Sequence, residues 1–324
     1  MTFLFRRAAV PLVAALFSLP LTAQLALLPA PRESAAAKAL PLPNGVNVVC
    51  TACNADDSFA ASELTQGLVA MGVPTSSSAQ AHITLLRSDS TAGRAALAAA
   101  HIQFTPEMRD EGYAVVADAT GVSVVGATAA GVFYGAATAR QLVSGYGSNA
   151  ILQTATVRDW PAMKYRGLHD DLSRGPVPTL DFQKKQIRTL AAYKMNVYSP
   201  YFEHTMQYAS EPLASPPGGS VTPAQARELV AYAAKYHVTI IPEQEAFGHL
   251  HYMLSYDTYA PLAETPHGHV LAPGQPESLA LTKRMFTELA ADYPSPLLHL
   301  GADETIELGK GQTKAAVDAR GLGP

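Results

Sequence analysis

A chain of 324 residues that is 48% hydrophobic and 15% charged can bury substantial apolar cores, and its length suits two compact units better than one. It carries no long block of like charge, which excludes a largely disordered polymer. A formal charge of -4, with no Arg/Lys stripe interleaved with aromatics, excludes nucleic acid as an expected partner.

At the amino end, Arg6 and Arg7 precede an apolar run from Ala8 to Ala23 that is broken by Pro11 and Pro20, the pattern of an export signal over residues 1–23. The run falls short of the roughly 20 apolar residues that span a bilayer. Cleavage near Ala23 is therefore expected, giving a periplasmic or extracellular product with no stable membrane span. Residues 24–43, rich in Ala and Pro, read as a linker. Cys50 and Cys53 are the only cysteines and form a C-x-x-C. In an oxidising compartment they close a local disulfide or remain two thiols, whereas a zinc site would need two further ligands. No metal and no cofactor is expected.

Residues 44–158 predict a small α+β domain. Val46–Val49 is β-branched and reads as a strand; Ser58 reads as the cap of a helix that carries Leu64, Leu68 and Val69 and ends at Gly72. His82–Leu86 predicts another strand. Tyr113–Ala117 and Val122–Val125 predict a hairpin, because Asp118 to Gly121 supply turn chemistry between two β-rich runs. A helix over Thr128–Val143 is expected to pack on them. No acid, base or nucleophile clusters here, so the domain is assigned a supporting role.

After Asp159-Trp160-Pro161 the rhythm becomes strand, loop, helix. Tyr165–Leu168, Met195–Tyr201, Val238–Ile241 and Leu297–Leu300 read as strands, the second expected to stop pairing at Pro200. Thr179 caps a helix with Ile187, Leu190 and Ala191 on one face, Thr222-Pro223-Ala224-Gln225 is a capping box, and Ser278–Ala291 is a third helix. Such steps imply parallel strands joined by helical crossovers. Polar residues follow every strand: His169 to Arg174, Glu203-His204, Glu243 to His249, and Asp303-Glu304. In a barrel these loops converge on one mouth, whereas an open doubly wound sheet concentrates chemistry at one switch point. The even spread, with no Gly-rich nucleotide motif after any strand, favours the barrel. The expected class for residues 159–324 is α/β, a partial (β/α)8 TIM barrel of about four β-α units.

The sharpest feature is His299-Leu300-Gly301-Ala302-Asp303-Glu304. Adjacent carboxylates at an apolar strand end raise each other's cost of ionisation, so one should hold its proton more tightly. Consecutive Cα atoms lie about 3.8 Å apart, while two carboxyls that flank a scissile glycosidic bond come from separate elements. Neighbours suit a different division of labour, in which Glu304 protonates a leaving oxygen and Asp303 steers a nucleophile carried by the substrate. The alternative is a solvated pair that opens a helix near Thr305.

At these residues the chain resembles the β-N-acetylhexosaminidases of glycoside hydrolase family 20. The hallmark H-x-G-x-D-E is similar to His299–Glu304; Tyr165-Arg166-Gly167 through Asp171-Leu172-Ser173-Arg174 resembles the first barrel strand. Lys194-Met195-Asn196-Val197 resembles the second, and Ile241-Pro242-Glu243 with Phe247-Gly248-His249 the third. Glu111-Gly112-Tyr113 and Gly131-Val132-Phe133-Tyr134-Gly135 are similar to the small domain before such barrels. The resemblance implies removal of terminal N-acetylhexosamine from N-acetylglucosamine- or N-acetylgalactosamine-containing glycans, through an oxazolinium intermediate. Glu304 is then general acid and base, and Asp303 orients the 2-acetamido group. Arg166 holds sugar hydroxyls or pairs with Asp171, Glu203 and His249 line the pocket, and His299 supports it.

Departures accompany the likeness: Glu245 stands where many members have Asp or Gln, Ala302 replaces a frequent glycine, and the second strand ends in Tyr201-Phe202-Glu203-His204. From Lys164 the chain offers about 160 residues where a whole barrel takes about 250. Weak or no activity is expected unless another copy or fragment completes it. Two other readings stand beside the hexosaminidase: a related glycosidase such as an α-glucuronidase, which the ordered H-x-G-x-D-E argues against, and a non-catalytic carbohydrate-binding remnant.

Overall fold

The computed structural model describes residues 25–322, so the export signal expected over residues 1–23 lies outside the described residues. No described helix is long and apolar enough to cross a membrane. The first unit contains strands β1 (Glu33–Pro41), β2 (Asn47–Cys50), β3 (His82–Arg87), β4 (Tyr113–Ala117), β5 (Gly121–Gly126), β6 (Val143–Ser144) and β7 (Ile151–Asp159). Its helices are α1 (Ala55–Ala70), α2 (Thr91–Ala99) and α3 (Ala129–Gln141). The strands form one mixed sheet in the order β1-β7-β4-β5-β3-β2, with β6 against β7. β4 and β5 are central and buried on both faces, which is why their sequences are nearly unbroken apolar runs.

The linker expected over residues 24–43 is corrected here. Residues 33–41 are an edge strand, antiparallel to β7 from Glu33↔Arg158 to Pro41↔Ile151. Almost every side chain of β1 is exposed, so the strand is held by backbone pairing that its Ala-rich composition does not announce. α1 also starts earlier than expected. Asn54 accepts from Asp57 N at 2.9 Å and caps the helix, while Ser58 turns back to donate to Asn54 O at 2.8 Å. Cys50 and Cys53 are joined in a disulfide just ahead of that cap.

The second unit follows the β-α rhythm: β8 (Gly167–Asp171), α4 (Leu180–Ala192), β9 (Val197–Phe202), α5 (Pro223–Lys235), β10 (Thr239–Ile240), β11 (Glu243–Gln244), α6 (His251–Leu254), α7 (Pro276–Asp292) and α8 (Lys314–Arg320). Thr179 caps α4, and the Thr222/Gln225 capping box opens α5. β8 pairs in parallel with β9, and β9 with β10 and β11, which are one strand interrupted at Pro242. Pairing runs through Pro200, opposite Asp170, because proline removes one donor and leaves its carbonyl in place. The fourth expected strand is reduced to one parallel bridge, Glu243↔His299, with His299 N donating to Pro242 O at 3.0 Å. Each strand thus neighbours its predecessor in sequence, with no reversal of order, as in the first half of a (β/α)8 barrel.

The two units share an interface. Arg166 Nη2 donates to Glu111 at 2.6 Å, Asn196 donates to the same carboxylate at 2.8 Å, and Lys194 lies 3.5 Å from Asp159. Phe59 and Phe133 meet Tyr236 edge-on, with ring centroids 5.0 and 6.0 Å apart.

Candidate active site

Because strand side chains alternate, the odd-numbered residues His169, Asp171, Tyr201 and Glu243 fall on one inner face, and Glu203, Glu245, His299 and Asp303 lie at or just beyond the strand ends beside it. Gln244 points the other way, where its amide donates to Glu203 O at 3.0 Å and Tyr208 donates to its carbonyl at 2.6 Å, tying β9 to β11. The loops after the four strands meet above this face. His249 Nδ1 lies 3.6 Å from Glu203, and His249 Nε2 lies 3.3 Å from Glu304 and 3.8 Å from Asp303. Glu203 is fixed in turn by the Tyr201 hydroxyl at 2.9 Å and by Arg174 Nη2 at 2.9 Å.

Backbone geometry in these loops is unusual. His249 (φ 53), Gly301 (φ 48) and Glu304 (φ 48) are all left-handed. At Gly301 a Cβ would lie 2.6 Å from Glu245 Oε1, so glycine is required there both for its dihedral and for the carboxyl packed against it. A side chain on Gly248 would meet Asp303 O at 2.4 Å, and this close approach seats the His249 loop against the Asp303 backbone.

Glu245 is the most perturbed acid of the site. Both of its oxygens are buried without a hydrogen-bond partner among the other described groups, and its carboxyl faces that of Asp303. Burial, then the contact with Asp303 and the charges of Glu243 and Glu203, pushes its pKa up to about 8. The same contact, aided by His249 and His299, holds Asp303 below its ordinary value. The two shifts run in opposite directions, so of the pair Glu245 is the carboxyl that favours its proton and Asp303 the one that favours its charge. Lower on the face, Glu243 bridges two imidazoles, at 2.6 Å from His169 and 2.8 Å from His299.

Of the residues singled out from sequence, Glu203, His249, Asp303 and Glu304 come together, and His299 sits beneath them on Glu243. Arg166 does not join them. It precedes β8 at the opposite, amino end of the strand, where its guanidinium is spent on Glu111 and on the carbonyls of Lys194 and Met163. Its expected pairing with Asp171 is made instead by Arg174, at 2.7 Å, from the loop after β8. Arg174 also packs over the Tyr201 ring and keeps a half-exposed guanidinium at the mouth. Sequence reasoning placed Arg174 among the polar loop residues without a role; its position after the strand, where chemistry gathers, is the signal that separates it from Arg166.

Comparison with known proteins agrees with this geometry. Residues 24–160 match "Glycosyl hydrolase family 20, domain 2" and residues 163–319 match "Glycosyl hydrolase family 20, catalytic domain". A β-hexosaminidase of Porphyromonas gingivalis is 29% identical over 231 residues, which are 61% of this chain and 29% of that protein. A β-N-acetylhexosaminidase of Cellulomonas fimi is 29% identical over 223 residues, covering 61% of this chain and 45% of that protein. The chain thus spans less than half the length of either relative. In fold it is similar to the chitobiase of Flavobacterium johnsoniae, with a TM-score of 0.72 at 19% identity over 93% of this chain and 48% of that one. It is similar also to the β-hexosaminidase of Streptomyces plicatus, with a TM-score of 0.70 at 22% identity over 90% of this chain and 62% of that one. With both of its units matched in order by that family's two domains, the chain belongs to glycoside hydrolase family 20.

Proposed function

We propose that the four loops form the proton-transfer side of a β-N-acetylhexosaminidase site, which removes terminal N-acetylhexosamine from glycans with retention of configuration. The observation that carries the reading is His249, set between Glu203 at 3.6 Å and Glu304 at 3.3 Å, because it joins groups from three separate loops at one mouth. Glu304 gives its proton to the glycosidic oxygen as the bond to C1 breaks. The acetamido carbonyl oxygen of the substrate attacks C1 from the opposite face, and Asp303, kept ionised by the proton on Glu245, accepts from the acetamido N–H. That contact stabilises the positive charge of the oxazolinium ring. Water that loses its proton to Glu304 then opens the ring. Arg174, with a half-exposed guanidinium, is assigned to the sugar hydroxyls in place of Arg166. The names of the relatives support the substrate class. The same reading puts the activity outside the cytoplasm, supported by the leading Arg6-Arg7 and apolar run and by the Cys50–Cys53 disulfide.

One observation favours a second reading, sugar binding without turnover: the side chains of Asp303 and Glu304 are 63% and 70% exposed, and proton transfer is most effective where water is excluded. The deciding experiment measures release of p-nitrophenol from its N-acetyl-β-glucosaminide alongside binding of a bicyclic thiazoline analogue of the ring intermediate. Release that falls on the order of 100-fold in Glu304→Gln supports the hydrolase. Thiazoline binding without release selects the remnant, and equal release by parent and variant removes Glu304 from the mechanism.

A further inference from the structure

Asp303 and Glu304 stand on an exposed loop, so what holds them against His249 must come from the segments packed around it. Residues 263–271 fold back as a hairpin, closed by the antiparallel bridge Ala263↔Leu271 and by Glu264 N donating to Val270 O at 2.8 Å. The His249 loop hangs on this hairpin. Leu271 N donates to Phe247 O at 2.8 Å, Leu250 N to His269 O at 2.9 Å, and His249 N to His269 Nδ1 at 3.4 Å. Because Nδ1 accepts, the ring proton of neutral His269 lies on Nε2, which faces Glu307 at 3.7 Å.

Two carboxylates join the hairpin to the segment that follows Glu304, one sent from each side. Glu307 accepts from His269 N and from Val270 N, each at 3.2 Å, and a side chain on Gly268 would collide with its Oε2. In return the buried Glu264 accepts from Gly311 N at 3.1 Å, from Thr313 N at 3.0 Å and from the Thr313 hydroxyl at 2.5 Å. Such charge-assisted bonds are about twice as strong as neutral ones. We propose that Glu307 is a positioning residue for proton transfer: through the hairpin it holds His249 in the left-handed conformation, φ 53, that sets its ring between Glu203 and Glu304. The proposal deepens the hydrolase reading and rests on it for its kinetic consequence. Glu307 lies three residues past Glu304, so one short segment supplies both the acid and the tether of the histidine beside it. Glu264 secures the far end of that segment.

The test combines kinetics with amide hydrogen exchange in the full chain, at a temperature where Trp160 fluorescence shows parent and variants folded. In Glu307→Ala, kcat for release of p-nitrophenol is expected to fall at least about tenfold with KM within about threefold, because a displaced histidine disturbs proton transfer more than sugar binding. The amides of residues 247–250 should exchange at least about tenfold faster than in the parent. Glu307→Gln, which keeps an oxygen for the two N–H groups, should recover most of both losses. Exchange at the parent's rate, or faster exchange with kcat unchanged, overturns the proposal. A parent that releases no p-nitrophenol defeats the hydrolase reading by itself, and the exchange rates then decide the tether. Should Glu307→Ala fail to fold, His269→Ala, which removes only the ring bonded to the His249 amide, decides by the same two readings.

Discussion

Glu245 shows how a single buried carboxyl ties the stability of this chain to pH. Its folded pKa of about 8 lies above the ordinary 4.5, so folded and unfolded chains are both protonated below about pH 4.5. Between those values the folded chain keeps a proton that the unfolded chain loses, and stability falls as pH rises, by about 1.4 kcal/mol per unit of difference. We expect a total loss on the order of 4 kcal/mol between pH 4.5 and 8, measured by urea unfolding. Glu245→Gln removes that slope. Asp303 acts in the opposite sense, since its depressed value makes its contribution present above the ordinary 3.8 and lost only below it, outside this window. Gly301→Ala tests the geometry that encloses Glu245. A β-carbon at φ 48, only 2.6 Å from the Glu245 carboxyl, is expected to cost about 1–3 kcal/mol in the same assay.

At the scale of elements, capped helices and one uncapped edge strand illustrate opposite cases. Thr222 and Gln225 satisfy each other's backbone donors, a reciprocal pattern written in four consecutive residues. β1 is the reverse: its partner, β7, begins more than a hundred residues later, and its own side chains are exposed. The structural role of β1 predicts the effect of truncation. A chain that begins at residue 44 loses the antiparallel partner of β7 and leaves that edge open, so it should melt below one that begins at residue 25 and aggregate more readily. Equal melting temperatures by circular dichroism would show that β1 adds nothing to the stability of the sheet.

For the whole molecule, the amino-terminal domain is a clamp on the barrel's lower rim. Glu111 accepts from both Arg166 and Asn196, holding together the residues that start β8 and β9. Glu111→Ala leaves the mostly buried Arg166 guanidinium with backbone carbonyls but no counter-charge and is expected to cost roughly 1–3 kcal/mol. Trp160, the sole tryptophan, sits at the junction under Arg158 and Arg32 and reports on it. In the parent, Trp160 fluorescence and far-ultraviolet dichroism should unfold together. In Glu111→Ala the fluorescence transition should come first, and coincident transitions at the parent's midpoint would show that the clamp carries no load.

Local pattern determined much of this protein. The period of apolar residues, the Thr179 and Thr222 caps and the ordered motifs ending in Asp303-Glu304 were legible because each involves neighbours within a few residues. They gave the β-α rhythm, the family likeness and four of the residues at the mouth. What the chain alone left open were relations between distant segments: β1 against β7, the fourth strand reduced to a bridge for want of a second paired edge among the described residues, and the choice of Arg174 over Arg166. Two arginines eight positions apart look equivalent in a motif, yet one lies below its strand and the other above it. Parallel pairing sets which strand end faces the mouth, and the turn at Gly301 after the His299 bridge brings Asp303 against Glu243 and Glu245, so only the tertiary structure decided where the charge collects.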